Sequence, residues 1–240
     1  MKKLFTICLF ASTFFLPGCG TIQNVAGSLS GLEISQGLKE ALTKGLFSGF
    51  EAFSNPAQGN ALVRFAFPGE AAKIEKTLKD LGLTAAVNNV TSKYTNAMSL
   101  AVKSAQPVFL DAVKNMSFRD AASILLSANR HAATEYFKSS MSPQLMTAFR
   151  PIVDSTVRTT GAGNEYGNIV KAYNAIPFIS KKLEPSLNDF IAARAIDAMF
   201  LYMADKEADI RSNAAARTTP LLQRVFGYAD AQQRIKAAGN

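Results

Sequence analysis

The sequence is poor in reactive groups. Its 240 residues include one His, two Cys and no Trp. One imidazole is too few for most zinc sites, and two thiols are too few for a disulfide scaffold. Haem ligation needs groups of the same scarce residues. No cofactor and no metal are expected. Charge is also sparse, at 18% of residues against 48% hydrophobic, which excludes a disordered chain. The formal net charge of +8 is spread along the chain. No Lys/Arg block of the kind that binds nucleic acid is present. No Gly-x-Ser-x-Gly elbow occurs, and no repeat of solenoid period.

What is present begins at the N-terminus. Lys2 and Lys3 precede Leu4 to Leu16, an uncharged run of 13 residues. This is the layout of a secretory signal, and the run is short for a bilayer span. It closes on Leu16-Pro17-Gly18-Cys19. That segment resembles the bacterial lipobox, whose Cys receives a diacylglyceryl group before cleavage exposes a new, acylated amino terminus (commonly palmitate). Pro17 departs from the usual small or apolar residue at its position. Several acyl chains, at roughly 0.8 kcal/mol per buried CH₂, anchor a domain stably where one would not. Gly20 follows the Cys. In enterobacterial lipoproteins an Asp there favours inner-membrane retention, so its absence points to the outer membrane, with the domain facing the periplasm. Removing Lys2 and Lys3 lowers the net charge to +6. Cys8 leaves with the signal and Cys19 carries lipid, so the working domain has no thiol and no disulfide. The residual basic balance favours contact with anionic headgroups or peptidoglycan only weakly.

The expected division is a signal over 1–18, a tether over 19–34, a helical domain over 35–228 and a C-terminal tail over 229–240. The tether is rich in Gly, Ser and Asn. Apolar residues then recur at three and four. Leu38, Leu42, Leu46, Phe50 and Phe53 form one stripe; Ile74, Leu78 and Leu81 form a second, closed by Gly82. Val87, Val90, Tyr94, Ala97, Ala101, Ala105 and Val108 form a third, with Pro107 as a kink or break. Ser117–Asp120 and Ser186–Asp189 match the capping box. Ser142-Pro143 and Thr219-Pro220 match helix starts with Pro in the first turn. Only 61–67 alternates like a strand, and one strand makes no sheet. Breaks fall at 54–60, 161–164 and 176–185. The expected fold is all-α, a compact single-domain array of about eight or nine helices.

Few residues are placed to do chemistry. His131 reads as a surface or capping residue. Asp205, Glu207 and Asp209 form the densest acidic group, but on a helix they point apart, and Glu207 with Arg211 reads as a surface pair. Gly161–Gly167 has the outline of a phosphate loop without its preceding strand, and reads as a turn. Asp197 lies in an almost wholly apolar stretch, 195–204. A carboxylate there reads as buried and in need of a partner, Arg194 or Arg217. It marks either a charged pocket or a paired core carboxylate that fixes helix register. Helical lytic enzymes of the cell wall typically carry a catalytic Glu followed by Ser; no Glu-Ser dipeptide occurs here. No residue is assigned as catalytic.

Several segments carry a resemblance: Gly37–Leu42, Asp111–Ala121 (DAVKNMSFRDA), Ala132–Phe137, Phe149–Pro151 and, above all, Ile210–Gly227 (IRSNAAARTTPLLQRVFG). In this order they resemble the bacterial domain-of-unknown-function (DUF) family 4197, over about residues 36–227. The resemblance implies a helical, exported and often lipidated protein and supplies no activity. Near 95–99 the resemblance implies an Asn-Arg-Ala-Ala-Glu-like run, where this chain has Thr95-Asn-Ala-Met-Ser99. In the last motif Thr219 reads as a helix cap with Arg217 paired to a carboxylate; the sharper reading is an anion-binding notch at a helix N-terminus. Asp197, Arg211, Arg217, Thr218 and Thr219 are therefore the candidate buried polar or anion site. The expected function is that of a non-enzymatic lipoprotein binding an unknown protein or envelope component. The alternatives are a carrier of a lipid or other apolar ligand, since Phe and Met could line a pocket, and a carboxylate-dependent peptidoglycan hydrolase.

Overall fold

Ser30 starts the first helix. Its hydroxyl accepts the Glu33 backbone N–H at 3.2 Å, and the Glu33 carboxylate accepts the Ser30 N–H at 3.0 Å. This reciprocal box satisfies two of the free donors at the head of α1 (Gly31–Ser54). The structure, a computed structural model, describes residues 29–56, 61–68, 71–177 and 182–239, without the side chains of 71–74. The helices that follow are α2 (Ala71–Asp80), α3 (Thr84–Ser104), α4 (Gln106–Asn115), α5 (Ala121–Leu126), α6 (Ala132–Thr160), α7 (Ala162–Asn174), α8 (Asn188–Ser212) and α9 (Pro220–Ala238), with a 3₁₀ turn at Ala214–Ala216. Nine α-helices and no strand occur among the described residues. The fold is all-α.

Helix α8 is the centre of the array, flanked by α1, α6 and α3. Apolar residues cover most of its circumference, as its sequence predicts. Its close approach to α1 rests on two glycines spaced by four, Gly45 against Met203 and Gly49 against Met199, while Gly37 faces Val225 on α9. A Cβ at Gly45 would lie 2.5 Å from the Met203 Cα, so no larger residue fits without parting the two helices. The next face of α1 buries Leu38, Leu42 and Leu46 completely, each worth roughly 1.5–3 kcal/mol of transfer free energy. Rings fill the rest of the interior. Phe65 stacks on Tyr94 at 5.0 Å, and Tyr166 meets Tyr94 edge-on at 6.1 Å. Phe109 touches Phe50 and Phe149 at 6.2 and 5.9 Å.

The apolar stripes predict these faces well. Leu81 is the exception: α2 stops at Asp80, and Leu81 sits exposed in the turn before Gly82, whose φ is +82°. The side chain of Ile74 lies outside the described residues. Residues 61–67 bury Val63, Phe65 and Phe67 alternately, without strand pairing; the Phe65 N–H is satisfied by the Thr95 hydroxyl at 3.0 Å. Pro107 stands in the first turn of α4, just past the break after α3.

Several boundaries differ from expectation. Helix α1 begins at Gly31, inside the expected tether. Helix α9 continues to Ala238 through the expected tail, because Ala229 is buried and Asp230 is paired. The break expected at 161–164 is Gly161 alone, in the left-handed region at φ +69°. Ser117 caps nothing: Asp120 accepts the Ser123 N–H at 2.9 Å and starts α5 three residues later. Ser186 accepts only the Asn188 N–H, while Asp189 turns to Arg150 on α6. Ser142-Pro143 starts no helix. Helix α6 runs through both Pro143 and Pro151, and the Ser142 hydroxyl donates back to the Lys138 carbonyl at 2.6 Å. The buried row Phe137, Leu145, Phe149, Val153 and Val157 spans both prolines, so tertiary packing overrides the local stop signal. Thr219-Pro220 does start α9, with the Thr219 hydroxyl accepting the Leu222 N–H at 3.3 Å. The expected signal, Cys19 and the tether up to residue 28 lie outside the described residues.

Candidate functional site

The end of α8 is a junction of helix ends. The first free N–H groups of α6 face α8, and His131, at the N-cap position, offers them no side chain. Glu207 supplies the cap from another helix. Its carboxylate accepts the Ala133 N–H at 2.9 Å, the Thr134 N–H at 2.7 Å and the Thr134 hydroxyl at 2.7 Å. A negative charge at the positive end of α6 is the favourable sign. One turn on, Arg211 donates from Nε to Glu207 at 2.8 Å. Its two terminal nitrogens donate to the Leu125 and Ile124 carbonyls, at 2.8 and 3.0 Å. Those carbonyls end α5, so the positive charge stands at the negative end of that helix. The Glu207–Arg211 pair thus holds both sides of the α5–α6 connection. Glu207 has no exposed side-chain surface, and Arg211 only 8%.

Arg217 does the same for α8. Its guanidinium donates to the Ile210 and Arg211 carbonyls at 2.8 and 2.9 Å. It also donates twice to the Asp230 carboxylate, at 2.6 and 3.1 Å. Thr219, besides capping α9, donates its hydroxyl to Glu40 on α1 at 2.7 Å. The N-terminus of α9 therefore already faces a carboxylate, which disfavours an added anion. Thr218 is exposed beside it.

The structure brings Arg211, Arg217, Thr218 and Thr219 to one corner and leaves Asp197 out. Asp197 is not buried: its side chain is 60% exposed, and its partner is Lys138 at 2.9 Å, not Arg194 or Arg217. Even a helix surrounded by protein keeps one open stripe, and Asp197, Leu201 and Asp205 form it. Arg194 instead donates to the Ala61 and Arg64 carbonyls at 3.0 and 3.2 Å. The converse correction applies to Glu207, expected on the surface. It follows Ile196, Met199 and Met203 along the buried row of α8 and precedes Ile210. That spacing is the signal that marks it. Asp209 does stay at the surface, where hydrogen bonding from Lys206 holds its carboxyl below the usual range.

Beside the corner lies a cleft of about 590 Å³. Its walls are the α5–α6 connection, with Leu126 and Arg130, and the outer turns of α9, with Gln233 and Lys236; Phe226 and Arg211 form the floor. The Arg130 guanidinium reaches the Ser212 hydroxyl at 3.0 Å. A smaller hollow of about 350 Å³ lies between His131, Lys138 and Asp197. His131 places Nδ1 3.0 Å from the Ala204 carbonyl. No group of three or more His, Cys, Asp or Glu suited to a metal occurs among the described residues. Nor, among them, is any helix long and apolar enough to cross a membrane.

A family model described as "Protein of unknown function (DUF4197)" matches residues 28–227. The chain belongs to this family. No curated protein and no solved structure matches the chain. The DUF4197 match covers every helix up to the middle of α9, including Glu207, Arg211 and Arg217. It stops at Gly227, short of Asp230, Gln233 and Lys236. The outer wall of the cleft thus lies beyond the matched DUF4197 segment. Within it, residues 95–99 have local duties: Thr95 accepts from Phe65, and the Ser99 hydroxyl donates to the Phe53 carbonyl.

Proposed function

We propose that this DUF4197 protein is an exported lipoprotein, held by lipid on Cys19 at the periplasmic face of the outer membrane. It acts by binding an envelope component rather than by catalysis. One observation carries the reading. Glu207, Arg211 and Arg217 are each engaged in closing a helix end, beside a cleft walled in part by Arg130, Gln233 and Lys236. General acid–base work needs a carboxyl within reach of substrate; Glu207 is sealed, and Asp230 is clamped by Arg217. The lipobox-like segment at Cys19 supports the placement. A hydrolase reading lacks an accessible carboxylate pair in the cleft. A carrier reading would require the packed core rings to separate.

A photo-reactive amino acid at Gln233, in the full chain in its own cells, tests this reading. A discrete cross-linked adduct is expected there and not from the same probe at Thr159, which is exposed on α6. Purified protein is expected to clear no peptidoglycan gel. Clearing that disappears in Arg130→Ala, or adducts that do not distinguish the two positions, would overturn the reading.

A further inference from the structure

We infer that the end of the domain bearing the cleft docks on the surface of an anionic bilayer. This names the envelope component of the reading above, and it rests on the membrane placement proposed there.

Chain direction sets which end that is. Gly45 faces Met203 and Gly49 faces Met199, so α1 and α8 run antiparallel. Arg224 pairs with Glu33 and Thr219 with Glu40, which lays α9 antiparallel along the first half of α1. The start of α1, the end of α8 and the outer turns of α9 therefore share one end of the molecule. The chain enters there. Leu29 lies ten positions beyond Cys19, a reach of at most about 36 Å. A lipid on Cys19 would hold this end nearest the bilayer.

The composition of that end suits a headgroup layer. Three of its carboxylates are matched by arginines, Glu33 by Arg224, Glu207 by Arg211 and Asp230 by Arg217, and Glu40 accepts the Thr219 hydroxyl. Arg130, Arg234 and Lys236 have no carboxylate partner among the described residues; Arg130 and Arg234 reach only neutral acceptors. Between these cations stand bare apolar side chains, Leu32 at 68%, Ile235 at 65% and Leu126 at 40% exposure. Cations attract phospholipid phosphates, and apolar groups at the same depth enter the acyl boundary. An acidic protein partner would use the charges and leave the exposed Leu and Ile without a role.

The test uses the chain from residue 19 with Cys19→Ser, which lacks the acyl group and keeps all nine described helices. It is sedimented with phosphatidylglycerol–phosphatidylethanolamine vesicles and with phosphatidylcholine vesicles. Binding to the anionic vesicles alone, weakening with salt, is expected. Arg234→Gln and Lys236→Gln, both on exposed turns, should each lower the partition coefficient about fivefold. Ile235→Ser should lower it too, and Lys171→Gln, at an exposed position of α7, should not. Equal binding to both vesicle types, no binding, or a Lys171→Gln effect matching Lys236→Gln would overturn the inference. Acylation of Cys19 is read separately by intact mass. A failed vesicle experiment with an acylated native protein therefore removes the docking and leaves the placement standing.

Discussion

At the scale of single residues, Glu207 and Asp197 exchange the roles that their neighbourhoods predict. Asp197 sits among apolar letters and faces water; Glu207 sits among charged letters and is buried. Composition along a short stretch does not resolve this, whereas the row Ile196, Met199, Met203, Ile210 does. The partners are not legible at all. That Glu207 would cap α6 follows from a helix 73 residues away in the chain. Stability should report the difference. Glu207→Ala leaves Arg211 uncompensated and two α6 N–H groups unpaired, so chemical denaturation should show a loss of about 3–5 kcal/mol. Asp197→Asn breaks an exposed pair and should change stability by less than about 1 kcal/mol.

Tyr94 and Tyr166 give a second residue-scale expectation. Burial, with a smaller contribution from Tyr166, pushes the Tyr94 phenol well above its ordinary range. Burial, then nearby Glu184, pushes Tyr166 up to about 12. A raised phenol keeps its full contribution to stability below pH of about 10 and loses it as pH climbs through the folded-state value. Absorbance at 295 nm should show these two tyrosines ionising only above that range, and Tyr94→Phe should move the alkaline unfolding midpoint upward. Ionisation of all six tyrosines together near pH 10 in the folded protein would contradict their burial.

At the scale of elements, periodicity predicts the buried faces of α1 and α3 because it measures the long-range demand directly: which side must meet the core. Caps and prolines measure only local preference. Thr219-Pro220 prevails because no packing opposes it. Ser142-Pro143 does not, since the buried face of α6 continues through it. Gly45 and Gly49 stand four apart, but what that spacing means depends on the partner helix, α8. Gly45→Ala, which would drive a Cβ into the Met203 backbone, should cost at least about 1–3 kcal/mol. Gly227→Ala meets nothing within 4 Å inside α9 and should gain about 0.5–1 kcal/mol from helix propensity. Thermal melting of both variants against the parent checks the pair.

At the scale of the whole molecule, the all-α class and the family were legible from patterning and from the ordered motifs, Ile210–Gly227 most of all. The cleft was not. It is made by three segments whose contact is set by the α1–α8 crossing, and its outer wall uses α9 residues that looked like a tail. The motif that carries the resemblance therefore builds the frame, and the cleft lies beside it. Delivery of this frame to a membrane through Cys19 is the central proposal. Intact mass spectrometry of the chain recovered from membranes tests that most directly. The predicted species begins at Cys19 and carries a diacylglyceryl group and an amino-terminal acyl chain. A chain that retains residues 1–18, or one whose Cys19 is absent or unmodified, would contradict it.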